Sequence, residues 1–202
     1  MALMLDEEMD ENVTTIKVIG VGGGGGNAVN RMVSDGLQGV EFIAMNTDQQ
    51  ALAKNHAATK VQLGSKLTKG RGAGADPEIG QRAAEESKDE IANALKGSQM
   101  VFITAGMGGA PARAQRPRSR TLPASGRILD RRVVTKPFKF EGKRRMDQAM
   151  VGINELLGKV DSLLIIPNDR LKFATDQKVT LANAFEIADD VLRQAVVSIS
   201  DL

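Results

Sequence analysis

A run of five glycines, Gly22 to Gly26, is the first feature of this sequence that suggests chemistry. It follows a β-branched segment at 15–21 and precedes 27–33, where apolar residues recur at helical spacing. Glycine lets the backbone approach a phosphate closely, and the amides at a helix N-terminus favour negative charge. The order strand, glycines, helix therefore predicts a phosphate-binding turn, with a purely structural glycine turn as the alternative.

Two more glycine-rich segments lie near the ends of predicted strands, at 72–74 and at 106–109. Three amide-rich loops at one sheet edge exceed what a diphosphate bridge needs and would suit a triphosphate. The glycine run is not a Walker A loop, because neither Lys-Ser nor Lys-Thr follows it.

A dinucleotide site is the alternative from another functional class. Gly20, Gly22 and Gly25 match the spacing of the dinucleotide-binding fingerprint, and Glu41 lies at about the right distance to hold a ribose. This hypothesis predicts an NAD-dependent oxidoreductase, but it gives the other two glycine-rich loops no role.

Composition excludes several classes of site. The chain has 202 residues, no Cys and one His, so thiol catalysis, thiolate zinc sites and a Ser-His-Asp relay are excluded. That histidine, His56, lies in a polar stretch and is expected to be exposed. Aromatic residues make up only 3% of the chain, with no Trp or Tyr, so a base-stacking platform for nucleic acid is not expected.

The N-terminal residues 1–12 are acidic and contain no basic residue, which predicts a flexible tail and excludes a secretory or mitochondrial targeting signal. No apolar run approaches the roughly 20 residues that span a bilayer. We therefore expect a cytoplasmic protein with no direct membrane insertion.

Strands and helices alternate along the chain, which predicts an α/β fold: a doubly wound, mostly parallel, Rossmann-like sheet with its ligand crevice at the carboxyl ends of the strands. Asp76 and Pro77 predict an N-cap and a first helical turn. The predicted strands are 15–21, 40–45, 60–63, 100–106, 128–134 and 162–167, and the predicted helices are 27–33, 77–95, 141–157 and 180 onward.

Six segments together resemble the FtsZ cell-division GTPases of the tubulin/FtsZ family. The resemblance extends from about residue 13 to 202, apart from 110–132. Its motifs are Ile-Lys-Val-Ile-Gly-Val-Gly-Gly-Gly-Gly-Gly-Asn at 16–27, Asn-Thr-Asp at 46–48, Gly-Ala-Gly-Ala-Asp-Pro at 72–77, Phe-Ile-Thr-Ala-Gly-Met-Gly-Gly at 102–109, Val-Thr-Lys-Pro-Phe-Lys-Phe-Glu-Gly-Lys-Arg-Arg at 134–145 and Ile-Pro-Asn-Asp-Arg-Leu at 166–171.

The resemblance implies a GTP-binding domain at 13–180, followed at 180–202 by the start of the family's long core helix. The C-terminal domain that follows this helix in the family is then expected to be missing. It also implies that the protein binds GTP with Mg²⁺ and self-associates into head-to-tail filaments. These filaments would lie in the mid-cell division ring beside other division-ring proteins, and no nucleic-acid partner is expected. In the family a neighbouring subunit brings carboxylates to the bound GTP, so no catalytic or metal-ligating residue is expected in this fragment.

By position, the resemblance also implies roles for individual residues. Ala73 and Gly74 would approach the γ-phosphate, Asn46 would face the nucleoside, Glu141 would hold the ribose and Arg145 the phosphate side. Phe185 would stack on guanine, and Asp189 would accept hydrogen bonds from guanine N1 and the 2-amino group. The remaining expected nucleotide contacts are Gly22, Gly23, Gly24, Gly25, Gly26, Asn27, Gly108 and Gly109.

Simpler interpretations stand beside three of these assignments. Glu141 and Arg145, four residues apart, would be only a surface ion pair. Phe185 would be a core residue, and Asp189 a solvated charge on a helix.

The segment 110–132 departs from the family. Where the family has Gly-Gly-Gly-Thr-Gly-Thr-Gly, residues 108–114 are Gly-Gly-Ala-Pro-Ala-Arg-Ala, in which Pro111 removes an amide donor. The stretch holds seven arginines and one aspartate, a charge of +6; because the whole chain carries +2, the remainder carries −4.

A frame-shifted reading explains the departure. Codons for Gly-Thr-Gly-Thr-Gly-Ala-Ala-Pro, read one base late, give the Ala-Pro-Ala-Arg-Ala-Gln-Arg-Pro found at 110–117. The alternative is a genuine arginine-rich insertion that binds nucleic acid or acidic lipid. As written, the segment is expected to cripple nucleotide binding, to leave the helix that should cover the sheet unformed and to abolish turnover. If the nucleotide pocket is dead, this chain would be a non-catalytic interaction module.

Overall fold

Six parallel strands form one sheet with the order β3-β2-β1-β4-β5-β6. The computed structural model describes residues 15–74, 76–109, 128–173, 179–180 and 183–200. The acidic segment 1–12 and residues 110–127 of the arginine-rich segment therefore lie outside the described residues. The strand order reverses between β1 and β4, the position at which doubly wound sheets bind ligands.

The strands are β1 (Ile16–Val21), β2 (Val40–Asn46), β3 (Thr59–Gln62), β4 (Met100–Gly106), β5 (Leu129–Lys136) and β6 (Ser162–Pro167). The helices are α1 (Gly22–Ser34), α2 (Gln49–Ala53), α3 (Ser65–Thr68), α4 (Pro77–Glu86), α5 (Lys88–Ala94), α6 (Lys143–Leu156) and α7 (Ala184–Ser200), with 3₁₀ helices at Lys139–Glu141 and Asn168–Phe173. The predicted sheet is confirmed, and β4 and β6 have the predicted bounds.

Two hydrophobic cores cover the two faces of the sheet, because successive residues of a strand point to opposite sides. Val18 and Phe102 pack with α1 and α7 on one face. Ile19 and Ile103 pack with α4, α5 and α6 on the other. Burial on both faces explains why the central strand β4 is almost wholly apolar.

Asp76 is the N-cap of α4, as predicted, and accepts hydrogen bonds from the amides of Glu78 and Ile79. The single helix predicted for 77–95 is instead two helices, α4 and α5, that meet at Ser87. Ser87 is buried, and its hydroxyl accepts a hydrogen bond from the Gly64 amide and donates one to the Gln62 carbonyl. These tertiary bonds compete with a continuous helix.

The last residues of the arginine-rich segment lie within the sheet, since β5 begins at Leu129 and pairs with β4. Arg132 is 3% exposed and forms a buried ion pair with Asp130, with a shortest distance of 2.8 Å. Arg131 lies over the ring of Phe102, 6.0 Å from its centroid. These two arginines therefore belong to the packed domain.

Among the described residues, no helix combines the length and apolar character needed to cross a membrane.

Candidate functional site

Helix α1 begins at Gly22, immediately after β1, so the glycine run forms the first turn of the helix rather than a separate loop. The N-cap residue, Val21, is in extended conformation and provides no side-chain hydrogen bond. The first four amides of a helix have no partner within it. The glycine run therefore presents backbone donors at the positive end of the helix dipole.

This turn lines a cleft of about 340 Å³ at the carboxyl ends of β1 and β2. Of the predicted site residues, those that line it are Gly22, Gly23, Gly26, Asn27 and Asn46. The cleft is uncharged along most of its wall and contains one acid, Asp48, and one base, Lys54. A pocket of amides and neutral side chains suits a ligand that brings its own negative charge.

The glycines have different surroundings. A Cβ on Gly25 would lie 2.2 Å from the Thr104 carbonyl oxygen, and one on Gly20 would lie 2.3 Å from the Gly25 carbonyl oxygen. These two glycines let α1 pack directly on the sheet. A Cβ on Gly23 would meet no atom of the described residues within 4 Å, and this glycine lines the cleft.

Several cleft residues were missed by sequence reasoning. The side chain of Asp48 caps α2 by accepting hydrogen bonds from the amides of Gln50 and Ala51. Asn55 donates a hydrogen bond to the Gly26 carbonyl at 2.9 Å. The Asn-Thr-Asp motif was a signal for Asp48, whereas Asn55 lies in an ordinary polar stretch. His56 is exposed, as predicted.

Asp189 on α7 lies beside the first turn of α1. It is 8% exposed and forms a side-chain hydrogen bond with Asn27. Its Oδ1 lies 3.9 Å from the position of a Cβ on Gly24. Burial raises the pKa of Asp189 to about 6, against the opposing effects of the Asn27 hydrogen bond and the Arg31 charge; the charge of Glu186 raises the pKa further. The alternative of a solvated charge is therefore wrong for this carboxyl group.

Phe185, one turn before Asp189, is 48% exposed, so it is not the core residue of the alternative interpretation. Its ring lies edge-on to Phe138 at 5.7 Å and to Phe140 at 6.0 Å. Phe138 and Phe140 are themselves stacked at 4.8 Å. The structure thus brings together three aromatic rings, two of them with half of their surface available to a planar ligand.

Glu141 and Arg145 form an ion pair at 3.3 Å. The Glu141 side chain is 7% exposed and also accepts a hydrogen bond from the Phe138 amide at 2.8 Å. Gly108 lies against Arg145: a Cβ on Gly108 would be 2.8 Å from the arginine Cγ. The loop after β4 and the start of α6 are therefore in contact, and Glu141 is more enclosed than a surface pair would be.

The loop before α4 lies next to the end of β2. The Gly72 amide donates to the Thr47 carbonyl at 3.2 Å, and Ala73 is buried. Gly74 has φ +58°, and a Cβ there would meet nothing within 4 Å. Neither Ala73 nor Gly74 is among the residues that line the cleft, and the same is true of Gly108, Gly109, Glu141, Arg145, Phe185 and Asp189.

The dinucleotide alternative depends on Glu41, and the structure places this residue at the wrong end of β2. Glu41 is paired with Lys17 at 3.2 Å, near the start of the strand. The residues of β2 that line the cleft, Ala44, Met45 and Asn46, lie three to five residues further on, or about 10–16 Å at the usual rise per residue. Asn46 occupies the position at which a ribose-binding acid would be expected.

No cluster of three or more His, Cys, Asp or Glu that could hold a metal ion occurs in the described parts of the chain.

Residues 15–176 match the model of the Tubulin/FtsZ family, GTPase domain. The chain is also similar to a solved FtsZ dimer from M. jannaschii, with 40% identity and a TM-score of 0.82, over 91% of this chain and 53% of that one. A mutant FtsZ from the same organism gives 42% identity and a TM-score of 0.82, over 91% and 55% of the two chains.

A GTPγS-bound protofilament of CetZ2 from Haloferax volcanii shares the fold at 20% identity, with a TM-score of 0.75 over 91% of this chain and 57% of that one. The chain thus spans a little over half the length of these solved structures.

Proposed function

The chain belongs to the tubulin/FtsZ family, and from this membership we propose that it is the guanine-nucleotide-binding part of a GTPase that assembles into filaments. The observation that carries the proposal is the glycine-lined start of α1, which has no side-chain cap and opens directly on the cleft. Backbone amides in this arrangement bind phosphate groups.

The phosphates lie against the first turn of α1 in this proposal. Gly22 to Gly26 and Asn27 cradle them, the loop with Ala73 and Gly74 approaches the γ-phosphate, and Gly108 and Gly109 close the other side. The open position at Gly23 supports this placement, because none of the described residues occupies the space beside its Cα.

The nucleoside extends toward α7. Phe185 stacks on guanine, Asp189 accepts hydrogen bonds from the donor edge of the base, Asn46 faces the nucleoside, Glu141 holds the ribose and Arg145 the adjacent phosphate. The nearness of Asp189 to Gly24, whose Cβ position would be 3.9 Å from the carboxylate Oδ1, supports this arrangement, since the carboxylate that would recognise the base lies next to the glycine turn. The donor edge of guanine, unlike the corresponding edge of adenine, complements a carboxylate.

Mg²⁺ would be held together with the phosphates of the nucleotide, and the part of this chain would be to place those phosphates against the first turn of α1. When bound, the ion neutralises charge that develops on the phosphates during transfer. The carboxylates that orient the attacking water come from the neighbouring subunit, so this chain supplies the nucleotide site and not the catalytic groups.

At the level of the cell, the proposal is that the protein forms filaments in the cytoplasm. These filaments lie at the mid-cell division ring, where they meet other division-ring proteins. The solved FtsZ dimer and the CetZ2 protofilament support self-association in this fold. CetZ proteins are also among the similar structures, so the similarity in fold supports filament formation more directly than it supports a role in cell division.

A competition experiment tests the nucleotide assignment. A fluorescent GTP analogue is bound to the chain in which residues 110–114 are restored to the family loop Gly-Thr-Gly-Thr-Gly, and unlabelled GTP, ATP and NAD are added as competitors. We expect GTP alone to displace the analogue at low excess. Equal displacement by NAD would overturn the proposal in favour of the oxidoreductase.

The segment after Gly109 provides a matched variant. Restoring the family loop with Ala110→Gly, Pro111→Thr, Ala112→Gly, Arg113→Thr and Ala114→Gly adds one backbone amide donor at position 111, frees the backbone at three glycines and removes a bulky cation. We expect the restored chain to bind GTP at least about tenfold more tightly, the equivalent of one or two hydrogen bonds. Absence of saturable binding by both chains would contradict the proposal.

A further inference from the structure

A helix that starts with five glycines is unstable on its own. Each glycine costs about 1 kcal/mol relative to alanine in a helix. Gly22 to Gly26 also have no side chains with which to hold their own conformation, and Val21 gives no capping bond. The geometry of the turn must therefore be fixed by groups from elsewhere in the chain.

Asn55 is such a group. It follows α2, 29 positions along the chain from Gly26, and its Nδ2 donates a hydrogen bond of 2.9 Å to the Gly26 carbonyl. The side chain is 6% exposed and lines the cleft. A Cβ on Gly26 would lie 3.3 Å from that same nitrogen, so a larger residue there would displace the carboxamide by a few tenths of an ångström.

The asparagine is held firmly on its other side. Its Oδ1 accepts a hydrogen bond of 2.9 Å from the amide of Ala57. Ala57 is buried in the core that α1 and α7 share. Because both ends of the carboxamide are engaged, its orientation is fixed, and the donor points at the glycine turn.

We propose that Asn55 is a positioning residue for phosphate binding: it locks the glycine turn of α1 in the conformation that presents its amides to the cleft. This inference rests on the proposed function for its ligand, a nucleoside polyphosphate, but the locking itself is a property of the ligand-free chain. Asn55 acts through the Gly26 carbonyl, and a direct contact between its side chain and phosphate is not required.

Two substitutions separate the parts of this role. Asn55→Ala removes both hydrogen bonds. Asn55→Asp keeps the shape and the acceptor for the Ala57 amide but replaces the donor that faces Gly26 with an oxygen. The control is Ser87→Ala, which removes a similarly buried side chain that bonds two backbone groups on the other face of the sheet.

The first measurement is amide hydrogen exchange without nucleotide. With Asn55→Ala or Asn55→Asp, we expect exchange at residues 22–27 to accelerate about tenfold, the equivalent of one lost hydrogen bond, with no comparable change in β4. Ser87→Ala should leave the exchange of 22–27 unchanged. Unchanged exchange there in both Asn55 variants would overturn the inference.

The second measurement is the affinity for GTP, GDP and guanosine, with each ligand competing against the fluorescent analogue. We expect the Asn55 variants to bind GTP and GDP about tenfold more weakly and guanosine equally well, because only the phosphates contact the turn. An equal loss for guanosine, or the same loss in Ser87→Ala, would show a general structural effect and overturn the proposal.

The two measurements also separate this inference from the proposed function. If the parent chain binds none of the three ligands, the proposed function fails, and hydrogen exchange alone decides whether Asn55 locks the turn. If the parent binds GTP and the Asn55 variants match it in both measurements, the positioning role is wrong and the proposed function stands.

Discussion

Gly25 of α1 lies directly on Thr104 of β4: a Cβ on Gly25 would be 2.2 Å from the threonine carbonyl oxygen. Because the clash would involve backbone atoms, no side-chain rotation can relieve it. This contact brings the start of α1 onto the central strand and so sets the position of the whole glycine turn.

The first prediction compares two neighbouring glycines. Gly25→Ala is expected to lower the free energy of unfolding by about 3 kcal/mol or more, since α1 must move away from β4. Gly23→Ala is expected to leave stability unchanged or slightly raised, because its Cβ meets nothing and alanine favours the helix. Urea denaturation of both variants measures the difference, and equal destabilisation would contradict it.

Gly23→Ala also tests the cleft. A methyl group there would occupy space that we assign to phosphate, so GTP affinity should fall although the fold is intact. The measurement is titration with the fluorescent GTP analogue, and unchanged affinity would place the phosphates elsewhere.

The second prediction concerns the pH dependence of stability. The pKa of Asp189 is raised from an ordinary value of 3.8 to about 6. A carboxyl group with a raised pKa binds more protons in the folded state, so stability falls as pH rises from about 4 to about 6. The loss is up to about 3 kcal/mol for a shift of this size. Denaturation across this range should show the fall in the parent chain and not in Asp189→Asn.

Nucleotide binding should have the opposite pH dependence. Guanine recognition requires the ionised form of Asp189, so GTP affinity should decrease as pH falls through about 6. Asp189→Asn should bind GTP weakly at every pH. The range from about pH 5 to about pH 8 includes the pKa of this group. Constant GTP affinity of the parent chain across that range would argue against base recognition by this residue.

The third prediction uses the exposed aromatic ring. Phe185→Ala should weaken GTP binding about tenfold through lost stacking, with a change in unfolding free energy of only about 1 kcal/mol. Phe173→Ala is the control, since this ring is 79% exposed and lies outside the proposed site. Phe138→Ala should instead destabilise the fold by about 3 kcal/mol, because the ring is buried. Isothermal calorimetry and thermal unfolding separate the two effects.

The fourth prediction addresses the buried ion pair of β5. Arg132→Leu alone should cost about 3 kcal/mol or more, because Asp130 is then left charged and buried. Adding Asp130→Val should recover most of the lost unfolding free energy, because apolar pairs often replace buried ion pairs without cost. Chemical denaturation of the single and double variants gives the coupling, and additive losses would contradict this account.

Much of the fold follows from local pattern. The alternation of apolar strands with amphipathic segments predicts the parallel sheet, and the Asp76-Pro77 pair predicts the start of α4. The division between α4 and α5 was not predictable, because the hydrogen bonds of Ser87 that accompany it reach residues more than 20 positions away.

The candidate site divides in the same way. Glycine spacing indicates a backbone site at the start of α1, and the family motifs indicate its ligand. Residues of the same type nevertheless have different roles. Gly25 is required for packing of α1 on β4, whereas Gly23 faces the cleft, and nothing in the sequence distinguishes the two glycines.

The sequence alone determined the six strands, the position of the glycine turn and the family, since these depend on local propensity and on continuous motifs. Only the tertiary structure decided that Asn55 bonds Gly26, that Glu41 lies far from the cleft and that Asp189 titrates near pH 6. The physical reason is that a hydrogen bond, a steric contact or a desolvated charge depends on what lies opposite in space, often tens of residues away in the chain.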